Sequence, residues 1–305
     1  MKDTVRPGIA ADYGSMMSHP ADLVRVQGLD FFGGQSLQGH AVQQALEQET
    51  TREEARIVVL SELWLDLAGT LDSLDAILTG FESLEEVPPV FVLLGDFQSF
   101  SCARANPDYR TIQENFKALS LVLARHVRLK EESRFVLVPG PGDAGPGSIL
   151  PQPPLPRSLT KDLRARIPSL VLASNPCRLR YYSQEIIIFR QDLLKTLRRH
   201  CLLTPTGDSE SPDALFEHLC VTVLQQSHLC PLPLERQPIY WQHDHALRLY
   251  PVPDLVILAD SSTPASTFTF EGCTCLNPGS FKQGSFAAYA PASRDVELCE
   301  VPDEF

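Results

Sequence analysis

Four apolar runs of strand length punctuate the chain: IVVLSELWLD from Ile57, VFVLLGDFQS from Val90, FVLVPGPGDAG from Phe135 and LVILADSS from Leu255. Each stops abruptly in a polar or Gly/Pro loop. Unbroken apolar runs of this kind predict parallel strands buried on both faces, delivering the residues that follow them to one edge of a sheet. Between the first two runs, Leu67, Leu71, Leu74, Leu78 and Phe81 recur at helical spacing and predict a helix over Asp66–Phe81. Ile112, Phe116, Leu119 and Leu123 do the same between the second and third. Alternating strands and helices argue for an α/β architecture with helices covering the sheet.

Further along, RLRYYSQEIIIFR predicts two strands meeting around Ser183 and Gln184, QDLLKTLRRH a helix, and Pro212–Gln226 another, with Leu215, Leu219 and Val223 on one face. Beyond Leu247 the segments ALRLYPV, LVILAD, TFTFEG, CTCLN, FAAYA and VELCEV crowd together as an antiparallel-looking tail, expected to form a second sheet. Residues 1–55 hold no sustained period, and Gly14, Gly28, Gly33, Gly34 and Gly39 interrupt them. They divide from 56–305 as a largely irregular lead with one connector helix over Gly39–Glu54. Most of Met1–Thr50 is expected to be mobile, except Leu29–Gly34, where Phe31 and Phe32 can dock on the core.

Composition narrows the classes. A hydrophobic fraction of 43% in 305 residues supports one large core, and a net charge of −12 makes the surface as a whole repel a phosphate backbone, so any nucleic-acid contact must be local or indirect. No apolar run approaches the roughly 20 residues that span a bilayer, and the first residues lack a secretory pattern, which points to a soluble intracellular chain. Cys102, Cys177, Cys201, Cys220, Cys230, Cys273, Cys275 and Cys299 contain no Cys-x-x-Cys pair. Cys273 and Cys275 fall on one face of a strand and could form half a metal site, but all eight read as packed thiols. His243 and His245, flanking Asp244, could capture a stray cation and read as a solvated loop. Gly140, Gly142 and Gly145 match a dinucleotide fingerprint, yet Pro141 and the run Pro146 to Pro156 forbid the helix that must follow it. Gly279–Ser285 has phosphate-loop glycine spacing without its lysine.

Candidate chemistry lies where the four runs end: Glu62 and Trp64 after the first, Gly95, Asp96 and Ser99 after the second, Gly140, Pro141, Gly142 and Asp143 after the third, and Asp260, Ser261 and Ser262 after the fourth. His228, in QQSHLCPLP, is a further candidate. A binuclear metal site needs carboxylates and imidazoles converging from several strand ends. The arrangement resembles the calcineurin-like metallophosphoesterase pattern, Asp-x-His, Gly-Asp-x-x-Asp, Gly-Asn-His-Asp/Glu, a lone His and Gly-His-x-His, with Glu62 and Trp64 in the first motif, Ser99 ending the second, and Asp143 and Asp260 standing without their imidazoles. SELWLD at Ser61, SRFVLVPGPGDAGPGSILPQPPLP from Ser133, SNPCRLRYYSQEIIIFRQDLL from Ser174, ALRLYPVPDLVILAD from Ala246 and CLNPGSF from Cys275 are similar to the B subunits of the eukaryotic replicative DNA polymerases.

That resemblance implies an α/β fold: an inactivated calcineurin-like β-sandwich flanked by helices over 56–305, with a remnant of an OB-fold in 1–55 whose closing strand is LDFFGG at Leu29. Most of the barrel and a preceding helical domain are absent from the sequence, as in an N-terminally truncated form. It further implies a nuclear, non-catalytic accessory subunit with no cofactor, its metal positions vestigial at Glu62, Trp64, Asp96, Ser99, Asp143, His228 and Asp260. Its implied partners are the cysteine-rich C-terminal module of the catalytic subunit, small histone-fold subunits, the replicative helicase and, only within the complex, DNA. The rival reading is a degenerate phosphoesterase or nuclease holding a single cation at Asp96 and Glu62. Trp64, Phe97 and Phe100, beside the Pro-rich arm from Pro146 to Pro156, are candidate partner-binding residues; they could equally fill the space that two metals once occupied.

Overall fold

The computed structural model describes residues 4–7, 14–15, 30–31, 40–102, 108–145, 149–201 and 211–301. Strands β1 (Thr4–Pro7), β2 (Gly14–Ser15) and β3 (Asp30–Phe31) precede helix α1 (His40–Thr51). Strands and helices then alternate through β4 (Ile57–Leu60), α2 (Thr70–Glu82), β5 (Val90–Leu94), α3 (Tyr109–Arg125), α4 (Val127–Glu132), β6 (Arg134–Val138), α5 (Lys161–Arg166) and β7 (Leu170–Leu172). A hairpin of β8 (Cys177–Tyr181) and β9 (Gln184–Arg190) leads into α6 (Leu193–His200), α7 (Pro212–Gln225) and β10 (Leu255–Ala259). The chain closes with β11 (Ser266–Phe270), β12 (Cys273–Asn277), β13 (Ser285–Ala290) and β14 (Asp295–Glu300).

Two six-stranded mixed sheets result, one ordered β14-β13-β4-β5-β6-β7 and the other β1-β8-β9-β10-β12-β11. Strand alternation decides what each face meets. Ile57 and Val59, Val90 and Val92, and Val136 and Val138 face Ile186, Ile188, Leu255 and Ile257 across the interior. Their neighbours Val58, Leu60, Phe91, Leu93, Phe135 and Leu137 point the other way, onto Leu74, Leu78, Ile112, Phe116, Leu119 and Leu163 of α2, α3 and α5. Ile187, Phe189, Val256 and Leu258 meet α6 and α7 on the far side. The layers are thus α/β/β/α. This explains why the strand runs are apolar without alternation: both faces are covered.

Local signals set the helix limits. Asp108 caps α3 by accepting from the backbone N–H of Arg110, and Ser211 caps α7 by accepting from that of Ala214, with Pro212 in the first turn. The helix expected from Asp66 begins only at Thr70, because Gly69 turns the chain at φ 87° and leaves Leu67 exposed.

The tail differs from expectation. It is divided between the sheets: β10, β12 and β11 extend one, while β13 and β14 extend the other beside β4. Nor is it wholly antiparallel, since β10 runs parallel to both β9 and β12. ALRLYPV is no strand. Trp241–Leu247 is a 3-10 helix, and Arg248 makes one bridge with His228. This places His243 and His245 half-buried with ring centroids 6.2 Å apart, where a solvated loop was expected. Five cysteines are buried, but Cys201 is exposed and Cys102 and Cys299 are half-buried.

The described residues of the lead do not show an OB-fold remnant. β1 pairs antiparallel with β8 as an edge strand of the sandwich, and β2 pairs with β3. The expected docking of Phe31 and Phe32 lies outside what is described, as does the mobility expected of Met1–Thr50 over the stretches ahead of α1. Helix α1 lies within the predicted Gly39–Glu54 and packs closely on the body. Its Glu49 accepts from Ser183 Oγ at 2.6 Å and from the Gln184 amide, tying it to the β8–β9 turn.

Candidate functional site: strand ends closed around an arginine

The C-terminal ends of β4, β5, β6, β9 and β10 converge on one edge of the sandwich, and Arg190, the last residue of β9, lies at their centre. It is 1% exposed. Its Nε donates to the carbonyl of Gly95 at 2.9 Å, and its Nη1 to the carbonyl of Ala259 at 3.2 Å and to Asp192 Oδ1 at 2.7 Å. Nη2 donates to Asp96 Oδ2 at 3.3 Å and lies 3.7 Å from Glu62 Oε1. One planar fork therefore joins the ends of strands from both sheets, a geometry suited to guanidinium and not to a point cation. Burial works against its charge, but Asp192, Asp96 and Glu62 outweigh that and hold it protonated.

The candidate aspartates are engaged by hydrogen bonds, whereas Glu62 Oε2 is buried without one. Asp96 Oδ1 accepts from the backbone N–H of Gly142 at 2.7 Å, and Oδ2 from Arg190. Burial raises its pKa against the opposing pull of Arg190. Asp143 accepts from the N–H of Phe97 at 2.7 Å and of Gly140 at 2.8 Å. Burial, reinforced by the charge of Asp96, pushes its carboxyl up to about 8. Asp260 accepts from the N–H groups of Leu194 and Ser262, both at 2.8 Å, and burial raises it too. Burial also presses on Asp192, yet Arg190 and the Ser261 N–H and hydroxyl hold it below the usual carboxylate range.

The two loops that carry Asp96 and Asp143 cross at backbone contact, which is why the sequence needs glycines there. A Cβ on Gly95 would stand 2.0 Å from Asp143 Oδ2 and 2.4 Å from Gly140 N; one on Gly140 would stand 2.4 Å from Asp96 Oδ1. Glycine permits this approach and any other residue blocks it. Glu62, 5% exposed, has a left-handed backbone at φ 56°, uncommon for a residue with a side chain. Lys282 Nζ lies 3.6 Å from Glu62 Oε2 and 4.0 Å from the centroid of the Trp64 ring. Trp64 thus lies half-buried at the rim, beneath a cation.

The remaining candidates scatter. Ser99 leaves the cluster to donate from its N–H to Asp66 at 2.8 Å. His228 belongs to another place. Its ring accepts from the N–H of Cys230 at 3.0 Å and meets Asp244 at 3.2 Å. Asp244 binds Arg248, whose carbonyl accepts from Arg178, itself paired to Glu185. Glu185 lies near the start of β9 and Arg190 ends it, so His228 is associated with the opposite edge of the sheet, five residues or roughly 16 Å away along the strand. Phe97 is fully buried against Phe116, with centroids 5.4 Å apart, and offers nothing to a partner's surface. Phe100 is partly buried against the same core. Residues 146–148 lie outside the described residues, and from Leu150 the Pro-rich segment is docked, with Leu150 bridged to Ile239 and Gln152 to Asn175.

Residues absent from the candidate set complete the cluster: Arg190, Asp192, Lys282, and Asn277, whose amide donates to the carbonyl of Asp260 at 3.0 Å. A charged pair, Arg190 and Asp192, directly following the apolar run EIIIF was the signal available. Cys273 and Cys275 do share a face, turned towards Cys220 of α7 in the outer core. There the Cys273 thiol is raised by its contact with Cys275 and then by burial. Among the described residues, no group of three or more His, Cys, Asp or Glu is arranged to hold a metal ion, and no helix is long and apolar enough to cross a membrane.

The fold and this edge define a double-sheet α/β protein whose strand-end carboxylates close on an internal cation. The model of the family described as the B subunit of DNA polymerases alpha and epsilon matches residues 57–267, and the chain belongs to that family. It is 47% identical over 270 residues to the DNA polymerase epsilon B subunit of Arabidopsis thaliana, covering 88% of this chain and 51% of that one. To DNA polymerase epsilon subunit 2 of Homo sapiens it is 38% identical over 290 residues, covering 93% and 53%. The chain spans about half the length of the curated relatives it matches. Solved structures overlap it more loosely. TT1561 of Thermus thermophilus gives a TM-score of 0.42 at 12% identity, covering 81% of this chain and 99% of that one. Vps29 of Chaetomium thermophilum gives 0.35 at 12% identity, covering 81% and 100%. Overlaps of this size define neither a site nor a function.

Proposed function

We propose that this chain is the calcineurin-like core of an accessory B subunit of DNA polymerase epsilon, and that it scaffolds the complex in nuclear DNA replication and catalyses nothing itself. Arg190 carries the non-catalytic part of the reading. A pair of divalent cations needs open lone pairs from several carboxylates and imidazoles. Here Asp96, Asp143 and Asp260 spend theirs on backbone N–H groups and the guanidinium. This donor set does not fit a metal pair, and the single-cation rival at Asp96 and Glu62 meets the same obstacle, since Arg190 already stands between them.

The partner is the cysteine-rich C-terminal module of the catalytic subunit, with the histone-fold subunits and the replicative helicase joining in the complete assembly. Trp64 and Phe100, at the rim of the closed edge, are the residues we assign to the contact. Co-expression of the chain with that module is the test. A stable complex is expected, weakened by Trp64→Ala or Phe100→Ala; failure of the parent chain to bind overturns the scaffold reading. Elemental analysis after dialysis tests the rest. Near-stoichiometric manganese or zinc that disappears with Asp96→Ala would restore the phosphoesterase reading.

A further inference from the structure

A second surface is independent of that edge chemistry. Helix α6 leaves the cluster from Asp192 and carries Lys195, Arg198, Arg199 and His200, all exposed, within one short helix of a chain whose net charge is −12. Beside it lies a recess of about 550 Å³, lined by Lys195, Arg198, Arg199, Leu215, Ser262 and Pro264 among others. Among the described residues, no carboxylate lines it and none of its three cations has an ion-pair partner. Several arginines elsewhere, Arg56, Arg125, Arg128, Arg178, Arg248 and Arg294 among them, each meet an acid, although exposed Arg164 and Arg166 of α5 stand apart from any acid among the described residues. On α6 the unpaired cations border a concavity, where one ligand can meet all three together.

We propose that this recess binds a short acidic peptide segment of a protein partner, one that alternates carboxylates with an aliphatic side chain. Two guanidinium forks and an ammonium on one rim suit several carboxylates at once. The floor decides between polyanions. Leu194, Leu215, Pro212 and Pro264 are aliphatic and give a nucleobase nothing to stack on, whereas single-stranded nucleic acid is gripped through aromatic platforms along an extended basic track. The charge balance of the whole surface also repels a long polyanion that runs past the recess, but not a short segment whose charges end inside it. Ser262 adds a hydroxyl at the mouth.

The test is fluorescence anisotropy with the full chain and three labelled probes: a synthetic peptide of alternating Glu and Leu, its Glu and Ser counterpart, and an oligothymidylate. The Glu and Leu peptide is expected to bind, and each of two changes to weaken it by roughly tenfold or more: replacing Leu by Ser in the probe, or the exposed triple reversal K195E/R198E/R199E in the protein. Because all three positions are solvent-exposed, the thermal midpoint of the triple variant should stay near the parent's. Should that variant misfold, weakening of parent binding by added salt takes its place as the charge readout. No peptide binding, binding indifferent to the reversal or to salt, or tighter binding of the oligothymidylate would each overturn the proposal.

Discussion

A buried guanidinium surrounded by Asp96, Asp192 and Glu62 is stable only as a set. Arg190→Met would keep the volume yet leave Asp96 and Asp192 without their cation and the Gly95 and Ala259 carbonyls with only their backbone donors. We expect a loss of about 3–5 kcal/mol, read as a lower denaturation midpoint, and Arg190→Lys should recover only part because an ammonium cannot span the same acceptors. Asp143 gives a pH signature. Its folded pKa, raised to about 8, exceeds the unfolded value near 4, so its contribution is fully present below about pH 4 and lost as the pH rises through 8. Asp192 and Asp244, both held low, act in the opposite sense and cost stability as the pH falls below about 4. Denaturant midpoints should therefore decline from about pH 5 to pH 9, and Asp143→Asn should flatten that decline while lowering the whole curve. These roles were not legible in sequence. An arginine ending an apolar strand reads equally as a charged stop, and only the meeting of two sheets makes it an internal counter-ion.

At the scale of elements, the strands and helices were largely legible because burial on both faces writes a continuous apolar run and helical spacing is unambiguous over four turns. The sheet membership of β13 and β14 was not. An apolar strand records that it is covered, without recording by which sheet, so a tail of strands in sequence looks like a sheet in space. Phe97 failed for a related reason: its place after a strand end suggested exposure, but its loop folds back under α3. Two glycines separate space from propensity. Gly95→Ala drives a Cβ into Asp143 and the Gly140 backbone and should cost more than roughly 3 kcal/mol, enough to reduce soluble expression. Gly80→Ala, on the exposed face of α2 with nothing within 4 Å, should instead stabilise by about 0.5–1 kcal/mol. Thermal melts of the two variants side by side check both signs.

Across the whole molecule, α1 and β1 bring the N-terminal lead onto the sheet that starts at β8, so a boundary at residue 55 cuts through packed structure. Glu49→Ala removes the buried carboxylate that holds Ser183 and Gln184, and should cost about 1–3 kcal/mol with faster amide exchange at the β8–β9 turn. Exchange unchanged there would mean that α1 rests on the body without bracing it. The residue at the centre of the strand-end cluster carries a last consequence. A protein organised around a bound metal is stabilised in proportion to the logarithm of free metal over its dissociation constant, so its folding follows the supply of that metal in its surroundings. Arg190 has no dissociation constant. Its charge is delivered by translation, one per chain, and neither a chelator nor a competing divalent ion can withdraw it; the melting temperature should be the same with and without EDTA. Closure of this edge by a side chain is thereby uncoupled from metal availability.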